Sequence, residues 1–390
     1  MNTQFDVIIA GGGAAGYSLS IALHTARPTL KIAIIEASDI SQAPSQSAFD
    51  ARAIALSAQS FDFLSAIGLK ESIGKIATPI KTIHVSDKGH LGTCSLSHGD
   101  YHLPALGYVV SLQEFGQTLQ KYLSNNCSFF QPDKIVGLSQ RADDVSIELQ
   151  SGSTLTSKLL VVAEGQFSST RELLGIAATS QDYKQTAVVT NVRLEANHHN
   201  VAYERFTQYG PLAMLPVADD IMSLVWCTYS AQAKQLLDMP EAQFIASLQD
   251  AFGYRTGKIT DVAARHSYPL QLVQSDEIMQ HRVALVGNAA QALHPIAGQG
   301  FNLGLRDIQR LAAVTKQYTD PGCYRALRDY RHSRVGDRDH TVLMTDALVK
   351  LFSNQDVAKL VGRNMGLIAM DLITPLKEVF ARFAMGQLRD

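Results

Sequence analysis

The feature that most constrains this chain is a run of glycines near its start, between a short apolar segment and a helix-forming one. Residues 5–10 have the pattern of a buried strand and residues 14–23 have helical composition. The sequence between them has the spacing G-x-G-x-x-G, in which glycines permit a tight turn, a close approach to a pyrophosphate and close helix–strand packing. It predicts a dinucleotide site formed by Gly11, Gly13, Ala14, Ala15 and Gly16.

A second strand and an acidic residue complete this pattern. Residues 31–35 are apolar and lead into Glu36, 20 residues beyond Gly16, where a carboxylate can accept hydrogen bonds from a ribose. Strand, helix and strand at this spacing predict a βαβ unit with parallel strands. The motif leaves open whether the dinucleotide is FAD or NAD. The alternative is an ordinary glycine turn with a solvated glutamate.

Composition excludes several classes of protein. The 390 residues are 46% apolar and 18% charged, and 34 basic against 36 acidic residues give a formal charge of −2. No block of like charge is present, so we expect no nucleic-acid partner. The four cysteines form no C-x-x-C pair, which indicates a reducing compartment and argues against a disulfide framework or a zinc site. We therefore expect no metal.

The uncharged stretch 7–26 resembles a membrane span or signal peptide, but Asp6 precedes it and glycines interrupt it. We expect a soluble, cytoplasmic protein. The C-terminal segment predicts a helix with one apolar face, which either packs on the body or a subunit, or docks on a partner or the inner membrane. This face consists of Leu372, Leu376, Val379, Phe380 and Phe383.

The distribution of strand and helix patterns predicts an α/β protein. We expect a discontinuous, Rossmann-like dinucleotide-binding domain over residues 1–75, 106–179 and 269–335. Short alternating segments predict an inserted, mixed β-sheet domain for the substrate over 76–105 and 180–268. A C-terminal helical region covers 336–390.

A second glycine-rich segment, residues 286–307, favours FAD over NAD. A strand leads into a turn, a Pro/Gly loop and a helix entered near Gly300. Such a loop presents backbone N–H groups and a helix N-terminus to an anionic ligand. A simple NAD dehydrogenase does not need it.

With these motifs the sequence resembles the FAD-dependent aromatic-ring hydroxylases of the para-hydroxybenzoate hydroxylase type. The matching segments are 11–16, 49–57 with Arg52, Glu164-Gly165 and 287–302. Residues 50–56 and 294–304 are similar to the ubiquinone-biosynthesis branch of that family.

The resemblance implies a monooxygenase that hydroxylates a polyprenylated phenol of the 2-polyprenyl-6-methoxyphenol type in ubiquinone biosynthesis. Reduced FAD would react with O2 to give a C4a-hydroperoxide, which transfers one oxygen to the ring. NAD(P)H is the expected reductant, and other quinone-biosynthesis proteins are candidate partners. Two alternatives stay open: a flavin hydroxylase of another phenol, and a degenerate FAD-binding scaffold, because Asn288, Gln291 and Leu112 replace residues usual in the family.

The resemblance also assigns site residues. Pro295 would form the wall beside the reacting ring, and His294 would help to deprotonate the phenol; a rigid turn proline and a structural histidine are the alternatives. Asn288 would accept a hydrogen bond from a ribityl hydroxyl through its amide oxygen. The expected FAD-binding set adds Glu36, Arg52, Val136, Gly287, Asn288, Pro295, Gly298, Gln299, Gly300, Phe301 and Asn302 to the first loop.

The inserted domain offers a candidate wall for the isoprenoid tail. Its apolar residues lie close together in sequence, although plain core packing explains them equally well. They are Tyr203, Phe206, Leu212, Met214, Leu215 and Pro216.

Overall fold

The computed structural model describes residues 3–39, 52–123, 127–352 and 373–386, together with 366, 369 and 371. Its strands, in chain order, are β1 (Gln4–Ala10), β2 (Ile32–Ile35), β3 (Ala53–Ser57), β4 (Ala77–Ile80), β5 (Thr82–Asp87), β6 (Thr93–Ser97), β7 (Gly107–Ser111), β8 (Cys127–Phe130), β9 (Ile135–Gln140), β10 (Val145–Leu149), β11 (Thr154–Val162), β12 (Ala178–Leu194), β13 (Val201–Thr207), β14 (Gly210–Ala218), β15 (Ile221–Tyr229), β16 (Ile259–Val262), β17 (His266–Ser275), β18 (Met279–Gln280), β19 (Val283–Leu285) and β20 (Gln291–Ala292).

The α-helices are α1 (Ala14–Ala26), α2 (Ala58–Leu64), α3 (Lys70–Ile76), α4 (Leu112–Lys121), α5 (Ser169–Leu173), α6 (Ser230–Asp238), α7 (Glu241–Phe252), α8 (Gln299–Gln317), α9 (Tyr324–Phe352) and α10 (Thr374–Ala384). A π-helical turn (Ser65–Leu69) joins α2 to α3, and 3₁₀ turns cover His98–Tyr101, Gly287–Ala289 and Ile296–Gly298.

The first sheet contains the predicted βαβ unit. Its parallel part has the order β19-β11-β1-β2-β8, with β18 antiparallel at one edge and the β9–β10 hairpin extending from β11. Residues 7–10 of β1 are fully buried, as expected for a strand covered on both faces. Helices α1 and α8 pack against each other over this sheet. The α/β, Rossmann-like prediction is confirmed.

The second sheet is mixed and is formed mainly by the inserted segments. Its order is β20-β17-β12-β15-β14-β13-β5-β6, with β16 on β12, and only the β5–β13 pair is parallel. One face packs on α6 and α7 around Trp226 and Phe244. A small antiparallel sheet, β3-β7-β4, lies between the two large ones.

Two expected domain limits fall inside single elements. The limit at 268/269 lies within β17, which continues to Ser275 and pairs with β12 and β20. The limit at 335/336 lies within α9, because residues 324–352 contain no proline to end that helix. The second glycine-rich segment follows β19 of the first sheet directly and contributes β20 to the second sheet.

The C-terminal helix does not present the single apolar face that the sequence predicts. In α10, Phe383 is buried, whereas Leu376 and Val379 are exposed; Leu372 lies outside the described residues. Some apolar residues of this helix thus face the protein interior, and others face solvent. Within the described ranges, none of the helices is both long and apolar enough to cross a membrane.

Candidate functional site

A cavity of about 670 Å³ lies between the two glycine segments and the second sheet. Its size is that of a typical cofactor or substrate site. Most of the predicted cofactor-binding residues line it: Gly11, Gly13, Ala14, Ala15, Glu36, Gly287, Asn288, Pro295, Gly298, Gly300, Phe301 and Asn302.

The first loop is shaped by the close approach of backbone to backbone. Gly11 has φ +110°, and a Cβ there would lie 2.6 Å from the carbonyl oxygen of Ala163. A Cβ on Gly16 would lie 1.9 Å from the oxygen of Gly11, so Gly16 serves helix–strand packing and does not line the cavity. A Cβ on Gly13 would meet nothing within 4 Å. The open side of the loop is therefore the side that faces the cavity.

Glu36 is held in place at the end of β2. Its Oε2 accepts the N–H of Gly12 at 2.7 Å, and its Oε1 accepts the N–H of Ser38 at 2.8 Å. Each carboxylate oxygen has a second lone pair, so Glu36 can still accept hydrogen bonds from ribose hydroxyls on the cavity side.

Two helix N-termini converge on the cavity. The N-cap residues of α1 and α8 are Gly13 and Gly298; neither cap has a side-chain hydrogen bond, and neither helix has an acidic residue in its first turn. Unsatisfied N–H groups and the helix dipole give both ends positive potential. This arrangement suits an anionic ligand such as a pyrophosphate or a reduced flavin ring.

The second loop is supported from behind by a buried carboxylate. Asp307 accepts the N–H of Gly287 at 3.0 Å and the amide of Gln291 at 2.8 Å on Oδ2, and the guanidinium of Arg334 at 2.7 Å on Oδ1. Arg334 and Arg306 both pair with Asp337. The network fixes the turn after β19 and gives Gln291 a structural role.

Asn302 connects α8 to β3 at the cavity wall. Its Oδ1 accepts the N–H of Ser57 at 2.8 Å, and its Nδ2 donates to the carbonyl oxygens of Ala55 at 2.9 Å and Gly298 at 2.8 Å. The fixed position of the α8 N-terminus follows from these bonds.

These features fit FAD. An open glycine loop, a ribose-facing carboxylate and two uncapped helix N-termini supply what a dinucleotide requires. The comparisons agree: the family model described as the FAD binding domain matches residues 4–335. The chain belongs to the FAD binding domain family.

Relatives within this family are similar over nearly the whole chain. The ubiquinone hydroxylase UbiL of Rhodospirillum rubrum is 35% identical, over 98% of this chain and 90% of that protein. The 3-demethoxyubiquinol 3-hydroxylase of Escherichia coli is 29% identical, over 99% of both. The mitochondrial ubiquinone biosynthesis monooxygenase COQ6 of Mus musculus is 31% identical, over 98% of this chain and 91% of that protein.

Solved structures agree on the fold. The p-nitrophenol 4-monooxygenase PnpA from Pseudomonas putida superposes with a TM-score of 0.81 at 18% identity, over 100% of both chains. Together with the relatives, the family assignment confirms the predicted FAD cofactor and the prediction of an FAD-dependent monooxygenase of the ubiquinone-biosynthesis branch.

His294, for which the resemblance implies a role in deprotonating the phenol, is not among the residues that line the cavity. Its ring is fully buried, and its Nδ1 accepts the N–H of Ile296 at 3.2 Å. Because that nitrogen is an acceptor, the proton resides on Nε2, 3.1 Å from the amide oxygen of Gln185. Burial lowers the pKa of His294 to about 4. The ring is therefore neutral and holds the Pro295 loop in place.

Pro295 lines the cavity, and its carbonyl oxygen accepts the N–H of Gly298 at 3.0 Å. The second lone pair of this oxygen remains for a substrate hydroxyl. Asn288 is exposed on the cavity side, as a contact with a ribityl hydroxyl requires.

Besides Gly16, three predicted cofactor residues lie outside the lining. The guanidinium of Arg52 donates to the hydroxyl of Tyr268 at 3.0 Å and lies over its ring. Val136 is half-exposed on β9. Gln299 is buried, and its amide nitrogen donates to the carbonyl oxygen of Phe383 in α10 at 3.1 Å, so this residue joins α8 to α10.

The sequence analysis missed two parts of the wall. Leu348 of α9 and Phe380 and Ala384 of α10 line the cavity. Contacts between segments so far apart in the chain cannot be predicted from local sequence patterns. Glu204 of β13 also lines it. Its only sequence signal is its place in the alternation of Ala202, Glu204 and Phe206, which assigns all three to one face of the strand.

Of the residues expected to form the tail wall, Tyr203, Phe206 and Leu215 line the cavity. Leu212 and Met214 are buried on the opposite side of the sheet with the Trp226 cluster. The two-residue period of β14 explains this separation. Pro216 is not among the lining residues.

Proposed function

We propose that this chain hydroxylates the aromatic ring of a polyprenylated phenol, of the 2-polyprenyl-6-methoxyphenol type, in ubiquinone biosynthesis, with NAD(P)H as electron donor. The observation that carries the proposal is the continuity of one cavity from the FAD loops to an apolar wall of the second sheet. The names of three relatives, all hydroxylases or monooxygenases of ubiquinone metabolism, support the substrate class.

The apolar wall suits a ring with an isoprenoid tail. Side chains of β5, β13, β14 and β15 form it: Ile83, Val85, Phe206, Leu215 and Val225. Each CH2 group moved from water into such a wall contributes about 0.8 kcal/mol. A prenylated phenol therefore gains far more here than an unsubstituted one.

The protein's own contribution is to position the reactants and exclude water. Bound FAD supplies the electrons and, with O2, the inserted oxygen atom. The N-terminus of α8 would stabilise negative charge on the reduced ring. Phe380 and Leu348 line the cavity with apolar side chains, which would help to keep water from the reaction.

We propose further that α10 contacts the inner membrane peripherally. Ile373, Leu376 and Val379 of this segment are exposed, while Phe380 lines the cavity. One helix thus has one surface open to solvent and another at the substrate site, which suits a substrate dissolved in lipid. Co-sedimentation with anionic phospholipid vesicles checks this: Leu376→Asp/Val379→Asp should lose binding, and retained binding would contradict it.

The decisive experiment is deletion of the gene in its source organism, followed by extraction of quinones. We expect loss of ubiquinone and accumulation of a polyprenyl-methoxyphenol, restored by the wild-type gene. A folded variant that cannot hold FAD, Gly13→Val, should not restore it. Unchanged ubiquinone in a strain without another hydroxylase for the step would contradict the proposal, and rescue by Gly13→Val would indicate a scaffold instead of an enzyme.

A further inference from the structure

Glu204 is a buried carboxyl group inside an apolar part of the cavity. It lies on β13, opposite Val85 of β5 and Ala213 of β14. Its Oε1 atom is buried and has no hydrogen-bond partner among the described residues. A buried polar atom without a partner is costly, so its place in the cavity wall indicates a ligand that supplies the missing hydrogen bond.

The other contact of this carboxyl group fixes it against the flavin loop. The backbone N–H of Ala297 donates to it. Ala297 has φ +55°, a left-handed conformation that is unusual for a residue with a Cβ. Pro295, Ala297 and Gly298 line the cavity together with Glu204. A ring bound between this loop and the second sheet therefore meets the free oxygen of Glu204.

In the part of the chain that the structure describes, no charged side chain forms an ion pair with Glu204. One titratable neighbour is the buried thiol of Cys227 on β15, whose pKa is raised by its own burial and by Glu204. The α9 carboxylate Asp346 is paired with Lys350 and with the hydroxyl of Tyr183. His294 is bonded to Gln185, as described above. Burial raises the pKa of Glu204 to about 8, and the hydrogen bond from Ala297 offsets this rise only in part.

We propose that Glu204 is the catalytic residue that removes the proton from the substrate's phenolic hydroxyl; this rests on the proposed function. The substrate O–H bond breaks, the proton forms an O–H bond on Oε1, and the electron pair stays on the phenolate oxygen, which makes the ring a better nucleophile. After the oxygen is added, the C–H bond at the hydroxylated carbon breaks, its proton passes to water and its electron pair restores the aromatic ring; the carboxylic acid then returns its own proton to the phenolate oxygen. A base whose pKa lies between those of ordinary carboxylates and phenols is well matched to this transfer.

The test compares purified holoenzymes of wild type, Glu204→Gln and Glu148→Gln, the last being an exposed carboxylate on β10. Product formation from a short-chain prenylated methoxyphenol is measured from pH 6 to 9.5, with flavin reduction followed separately. We expect the wild-type and Glu148→Gln rates to rise through an apparent pKa near 8. Glu204→Gln should lack this rise and form product about 100-fold more slowly at pH 9, with unchanged FAD content.

A binding measurement tests the role of Glu204 independently of the proposed substrate. The probe is 4-nitrophenol, whose anion has its own visible absorbance, added to oxidised holoenzyme. The bound probe should become the anion at a lower pH in wild type than in Glu204→Gln. If wild type ionises the probe but converts no prenylated phenol, the substrate proposal fails and that for Glu204 stands. Equal turnover and equal pH profiles for wild type and Glu204→Gln would overturn the role of Glu204.

Discussion

The Oδ1 atom of Asn302 accepts the backbone N–H of Ser57 at 2.8 Å, and this bond connects the first turn of α8 to the end of β3. The same amide donates to Ala55 and Gly298. One side chain therefore sets the distance between the small sheet and the loop that faces the flavin.

The first prediction follows from this contact. Asn302→Asp retains the acceptor for Ser57 but loses both donors, so two carbonyl oxygens lose their partner and face a carboxylate. At about 1–3 kcal/mol for each lost buried bond, the free energy of unfolding should fall by roughly 2–6 kcal/mol, and FAD affinity should fall with it. Urea unfolding and fluorescence titration with FAD measure both. Wild-type values for each would contradict this role.

The second prediction concerns Gly13. A Cβ there meets nothing within 4 Å in the protein, so a valine side chain would extend into the space where a pyrophosphate would lie. We expect Gly13→Val to fold and to lose FAD affinity by more than 100-fold, about 2.7 kcal/mol. Gly116→Ala in α4 is the control, because its Cβ also meets nothing; it should bind FAD normally. Equal flavin content in both variants would contradict the prediction that the pyrophosphate of FAD lies next to Gly13.

Local patterns were sufficient to predict the cofactor end of the site. Residues 5–36 contain a strand, a glycine turn, a helix and a strand whose order and spacing are a motif of consecutive residues, and the structure has these elements in the predicted places. The helix N-terminus at Gly298 is local in the same sense.

The substrate end depends on contacts between distant segments. Phe380 reaches the cavity because Gln299 holds Phe383 of the same helix from more than 80 residues away, and no sequence period encodes that contact. Sequence proximity to Pro295 suggested catalysis for His294, but its ring bonds to Gln185 of β12, more than 100 residues away. In the sequence Glu204 is an ordinary polar residue on a strand, and its burial and its contact with Ala297, more than 90 positions away in the chain, become visible only in the folded structure.

The third prediction is that His294 affects stability at low pH and contributes no ionisation to catalysis. Its pKa is lowered by burial to about 4 in the folded protein, against about 6.5 when unfolded. The unfolded chain therefore takes up a proton first, and up to about 3 kcal/mol of stability present above pH 6.5 is lost as pH falls to 4. His294→Asn, which keeps an acceptor for Ile296, should lack this component. Urea unfolding between pH 4 and 7 measures it, and parallel curves for the two proteins would contradict it.

The last prediction applies the same reasoning, with opposite sign, to Glu204. Its pKa is raised by burial to about 8 in the folded protein, against 4.5 ordinarily. The folded protein keeps the proton longer than the unfolded chain, so stability is highest below pH 4.5 and falls as pH rises to 8. Glu204→Gln has no such loss, and its stability relative to wild type should grow by roughly 3–5 kcal/mol between pH 5 and 9. Urea unfolding with saturating FAD measures the difference, and Glu148→Gln should show none of it. A difference that stays constant across this range would mean that the carboxyl group of Glu204 is solvated in the folded protein.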